Sequence, residues 1–115
     1  MSARLIHNPR CSKSRQALAI LEEKKVSFDV VEYLKNPLSE SELDELFSKL
    51  GKEPLEVIRT KETVFKDLNL KGQELSRQEW IKIIAKNPIL LERPIFDNGN
   101  QAVIGRPPEN LLSII

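Results

Sequence analysis

At 115 residues the chain is long enough for one domain with its own core and too short for two. Hydrophobic residues make up 40% of it and charged residues 30%, with 18 Lys and Arg against 17 Asp and Glu; this excludes a disordered or collagen-like chain. The formal charge of +1 is too small for a generic nucleic-acid binder.

One cysteine, Cys11, and one histidine, His7, exclude a disulfide scaffold and a zinc-finger ligand set, and no metal site is expected. No apolar run approaches the roughly 20 residues of a membrane span, and the start MSARLIHNPRC lacks the apolar core of a signal peptide. A cytoplasmic location is therefore expected, where a lone thiol stays reduced, with neither membrane nor nucleic acid as a partner.

In chain order, Arg4 to His7 reads as a short strand stopped by the turn signal Asn8-Pro9. Beyond Cys11, Ala17, Leu18, Ile20 and Leu21 recur at helical spacing against a polar face of Arg15, Gln16, Glu22, Glu23 and Lys24. Cys11 thus stands at the mouth of a helix. Ser27 to Tyr33, rich in Val, Phe and Tyr, reads as a second strand, completing a β-α-β unit with a right-handed crossover.

Asn36-Pro37 breaks that strand, and Ser39 with Glu42 forms a capping box ahead of the apolar stripe Leu43, Leu46, Phe47 and Leu50, with Gly51 as the stop. Short helical pieces follow at Pro54 to Ile58 and Val64 to Leu70. A second capping box, Ser76 with Glu79, opens a helix carrying Trp80, Ile81, Ile83 and Ile84 and ended by Asn87-Pro88. Trp80 and Phe47 read as core. Pro94 to Phe96 and Ala102 to Ile104 flank Asp97-Asn98-Gly99-Asn100, a hairpin signal, and a short helix runs from Glu109 to Ile115. The expectation is one α/β domain over 1–115, β-α-β then β-β-α, with an all-helical insertion over about 36–90.

Cys11 carries the chemistry. Ahead of a first helical turn it faces unpaired backbone N–H groups and the positive end of the helix dipole, which favour thiolate, and Arg10, Lys13, Arg15 and a protonated His7 would add positive charge. The competing reading, a buried inert thiol, is opposed by these charged neighbours. Cys11-Ser12-Lys13-Ser14 has Cys-x-x-Cys spacing with serine in place of the resolving thiol, so any redox cycle must take that thiol from outside. Ser14 reads either as a helix cap or first-turn residue or as part of an oxyanion loop. Arg59, Arg93 and Arg106 are candidate anion clamps, two of them directly before a proline that holds the backbone extended. His7 reads equally as a proton shuttle or as a packing residue.

His7-Asn8-Pro9-Arg10-Cys11-Ser12-Lys13-Ser14-Arg15 resembles the active-site segment of the glutaredoxin-coupled arsenate reductases, the ArsC family. Asn87-Pro88-Ile89-Leu90-Leu91-Glu92-Arg93-Pro94-Ile95 and Val103-Ile104-Gly105-Arg106-Pro107-Pro108-Glu109 resemble that family's other two signatures. The resemblance implies a thioredoxin-like mixed sheet. It assigns Cys11 as the nucleophile on arsenate, Arg59, Arg93 and Arg106 as oxyanion ligands, and His7, Asn8, Ser14 and Arg15 to the active-site loop. It also makes Pro94 the candidate cis-proline. Nothing is expected to stay bound as a cofactor: glutathione is the implied co-substrate, glutaredoxin the implied protein partner, and a monomer is expected. An end at Ile115 and a loop more basic than that of longer plasmid-encoded members fit a short chromosomal type. Two rivals keep the scaffold: a thiol reductase of another glutathione-linked substrate, and a regulator resembling Spx that binds RNA polymerase, the latter opposed by Ser14. A tyrosine phosphatase is opposed by the lack of a Cys-x5-Arg loop.

Overall fold

The computed structural model describes residues 3–115. They divide into two compact units, the first formed by residues 3–36 and 93–115 and the second by Pro37–Glu92. Among the described residues no helix is long and apolar enough to cross a membrane.

The first unit is a four-stranded mixed sheet with a thioredoxin-like arrangement. Its elements are β1 (Arg4–His7), α1 (Ser12–Glu23), β2 (Asp29–Glu32), β3 (Ile95–Asp97) and β4 (Ala102–Ile104), and the strand order is β2-β1-β3-β4. β1 lies between β2, to which it is parallel, and β3, to which it is antiparallel. Its central place explains why Leu5, Ile6 and His7 are all buried, whereas Asp29 and Val30 on the edge strand β2 are exposed. One face carries a core of Leu5 and Phe96, cross-strand partners, with Ala17 and Leu21 of α1 and Leu111. Leu111 comes from a 3-10 helix, Pro108–Ile114, rather than an α-helix.

The boundaries of β2 and β3 differ from the sequence reading. β2 is only four residues long, because Ser27, Phe28 and Tyr33 lie outside the ladder, and Phe28 serves the core instead. Asp97, expected in the turn, is the buried last residue of β3. Its carboxylate accepts from Gly99 N at 2.8 Å and from Arg4 Nε at 3.4 Å, and Gly99 turns the chain at φ 104°.

The second unit contains α2 (Glu40–Leu50), a 3-10 turn Pro54–Val57, α3 (Thr63–Asp67), α4 (Arg77–Lys86) and a 3-10 turn Pro88–Leu90. Both capping boxes close: Ser39 Oγ accepts from Glu42 N and Ser76 Oγ from Glu79 N, each at 3.2 Å, while each glutamate reaches back to the serine N–H. Gly51 ends α2 at φ 67°, a left-handed position that disfavours a side chain. Leu43, Leu46 and Phe47 of α2 and Trp80, Ile81 and Ile84 of α4 are buried between the packed helices. Arg77 joins the two through Asp44 Oδ1 at 2.8 Å and Ser48 Oγ at 3.2 Å. The segment is not wholly helical, because Ile58 and Leu91 form an antiparallel bridge, flanked by Arg59 N to Leu90 O and Glu92 N to Val57 O.

Candidate active site

β1 delivers the chain to a tight loop that places Cys11 as the N-cap of α1, with extended backbone angles of φ −92° and ψ 125°. Asn8 builds the loop: its backbone oxygen accepts from Cys11 N at 3.0 Å, its side-chain oxygen from Arg10 N at 3.0 Å, and its own N–H donates to Ser14 Oγ at 3.3 Å. Ser14 is wholly buried in the first turn. It is a first-turn residue rather than the cap, and its hydroxyl ties the loop to the helix.

The sulfur is partly exposed. Burial pushes its pKa up, but the Ser14 N–H and hydroxyl, the Lys13 N–H and the Arg93 charge outweigh that, so Cys11 titrates below the ordinary thiol range. Cys11 makes no close capping bond as a thiol, so what these donors favour is the anion. Arg93, from a distant part of the chain, adds its positive charge to this effect. Of the residues expected to supply that charge, Arg15 turns to Pro9, its Nη1 donating to Pro9 O at 3.0 Å, and Lys13 contributes through its backbone. His7 adds no charge at neutral pH, because burial depresses its pKa despite an opposing effect from Glu32.

Arg93 and Arg106 stand at the sheet end of the same unit. Both are followed by a cis peptide bond, Arg93–Pro94 and Arg106–Pro107, the second not anticipated from the sequence. Arg106 Nε donates to Arg93 O at 2.7 Å, and Arg106 Nη2 lies 3.7 Å from Cys11 Sγ. Arg93 holds Nε and Nη1 away from water with no hydrogen-bond partner. Two buried guanidinium donors without an acceptor are costly, and close to a thiolate they form a seat for an anion. Gly105, which the sequence reading passed over, packs this corner: a Cβ there would lie 2.7 Å from Leu111 Cδ1 and 2.9 Å from Pro94 Cγ. Its N–H bonds Pro94 O at 2.8 Å. A glycine directly before an Arg-Pro pair at a strand end was the only local signal for it.

Arg59 belongs to the second unit, where Glu62 Oε1 accepts from its Nε at 2.9 Å. The chain thus brings together Cys11, Ser14, Arg93 and Arg106 within one unit.

The ArsC family profile matches residues 6–114. The chain belongs to the ArsC family. Within that family it is similar to the arsenate reductase of Haemophilus influenzae, with 44% identity over 116 residues and all of both chains covered. An arsenate reductase of Neisseria meningitidis is 42% identical over 97% of each chain. Among solved structures, that of an arsenate reductase from Vibrio cholerae superposes with a TM-score of 0.94 at 42% identity, covering 100% of this ArsC chain and 98% of the other.

Proposed function

We propose that this ArsC-family chain reduces arsenate to arsenite in the cytoplasm, as a monomer, with glutathione as co-substrate and glutaredoxin as protein partner. The observation that carries the reading is Cys11 Sγ at 3.7 Å from Arg106 Nη2, in the same unit as the buried, unpaired donors of Arg93. An oxoanion satisfies those donors and meets a nucleophile already biased to its anion. The names of the relatives support the same substrate, and the resemblance alone assigns Arg59 to the oxyanion.

In the proposed cycle the Cys11 thiolate attacks As(V) and a protonated oxygen leaves as water, with the arginines offsetting charge on the remaining oxygens. Glutathione forms a second As–S bond and releases another water. A glutaredoxin thiolate then attacks the glutathione sulfur. A disulfide forms between the two, and the electron pair of the broken As–S bond passes to arsenic, which becomes As(III). Water displaces arsenite from Cys11, returning the thiolate. With Ser14 at the resolving position, the second thiol comes from outside the chain.

The test is arsenite formation with glutathione and glutaredoxin, native chain against Cys11→Ser. Native turnover that falls to background in the variant is the expected result. A native chain that makes no arsenite above background would overturn arsenate as the substrate and favour another glutathione-linked reduction.

A further inference from the structure

β1 and β2 are parallel and end level with each other, His7 opposite Glu32, so the loops after both strands leave the sheet at the same end. Between those loops lies a groove of about 240 Å³, formed by His7–Arg10 and the segment of Glu32, Leu34 and Lys35. It shares its wall with the loop that holds Cys11, since Asn8 O accepts from Cys11 N. His7, only 5% exposed, lines it, and its Nδ1 is buried without a hydrogen-bond partner. Arg10 and Lys35 bring two cations to the rim, and Glu32 brings one carboxylate, 3.6 Å from Lys35 Nζ.

We propose that this groove seats the amino-acid end of the thiol co-substrate, the zwitterionic γ-glutamyl group of glutathione, with Arg10 and Lys35 on its carboxylate and Glu32 on its ammonium. The inference rests on the reading of the chain as a glutathione-dependent reductase. The volume fits one end of such a molecule rather than the whole, because pockets that enclose a drug-sized ligand run to about 300–1,000 Å³. A lone carboxylate would need only the cations; Glu32 selects a group that also carries an ammonium.

The groove can be tested without arsenate. Glutathione disulfide reacts directly with Cys11: the thiolate attacks one sulfur, the disulfide bond breaks, a glutathione thiolate leaves, and Cys11 is oxidised to the mixed disulfide. The rate is compared with that of dithiodiglycolate, a disulfide of the same net charge that has no amino-acid end. In Arg10→Ala/Lys35→Ala, two exposed positions, the glutathione disulfide rate should fall at least tenfold relative to the dithiodiglycolate rate. Glu32→Gln should also slow glutathione disulfide selectively. Parallel slowing of both disulfides would mean that the cations act on the sulfur or by general attraction, and would overturn the groove, as would no slowing at all. A faster reaction in Glu32→Gln would overturn the ammonium contact. Arsenite formation by the native chain is scored separately: without it, a surviving disulfide preference keeps the groove and removes arsenate.

Discussion

The two units treat their polar groups in opposite ways. In Pro37–Glu92 the helix ends are closed by Ser39 with Glu42 and Ser76 with Glu79, and the guanidinium groups of Arg77 and Arg59 find Asp44 and Glu62. In the sheet unit, Arg93 Nε and Nη1 and His7 Nδ1 are buried with nothing to bond, and a cysteine caps a helix where serine caps both long helices of the other unit. Buried polar groups in folded proteins are normally paired, so the unit that leaves them open has spent stability where chemistry needs donors. The helical unit is closed locally; the sheet unit is left incomplete at one corner.

The sharpest way to break this comparison is Arg93→Met. Losing a preorganised anion donor should lower arsenate turnover by about 10²–10³-fold, while the melting temperature holds, because two buried N–H donors that bond nothing give way to apolar atoms. A parallel loss of stability would mean that Arg93 is structural after all.

Gly105→Ala comes next. A methyl group 2.7 Å from Leu111 Cδ1 and 2.9 Å from Pro94 Cγ forces this corner apart. Such overpacking costs about 1–3 kcal/mol, to be read by denaturant unfolding, and turnover should fall with it because Arg106 is the next residue. In the helical unit, Ser39→Ala and Ser76→Ala should each cost about 1 kcal/mol and leave turnover within about twofold of native.

The smallest effect is a shift in titration. The rate of Cys11 alkylation should reach half its maximum at a pH below the ordinary thiol range, and Ser14→Ala should move that point upward by removing the hydroxyl donor. The sign for stability follows. A folded pKa below the unfolded one means that the thiolate favours the fold, fully above the unfolded thiol pKa, and that this contribution is lost as pH falls through the folded value. Cys11→Ser should remove that component of the pH dependence.

What the sequence made legible was local. Both capping boxes, the left-handed stop at Gly51 and the cysteine at a helix start are signals contained within a few residues. What it hid depended on distant segments meeting. Arg10, Lys13 and Arg15 are Cys11's neighbours in the chain, yet the guanidinium groups that reach the sulfur are those of Arg93 and Arg106, which only the pairing of β3 with β1 and β4 brings to that side. Ile58 and Leu91 bridge across 33 positions in a stretch whose periodicity is helical. Gly105 has no reason in its own sequence context to lack a side chain until Leu111 and Pro94 are packed on it. The thioredoxin-like sheet itself was readable, because an apolar strand, an amphipathic helix and an Asn-Gly hairpin each declare themselves.

Arg106 couples two distances that would otherwise be independent. A guanidinium is planar and stiff, so the edge whose Nε grips the carbonyl of residue 93 also fixes where Nη2 meets the cysteine. Whatever enlarges that sulfur, an arsenic adduct or a single added oxygen, must either be embraced by this one fork or lever it away from the backbone it braces. The state of the nucleophile is thereby registered in the main chain next to Pro94 through this single side chain.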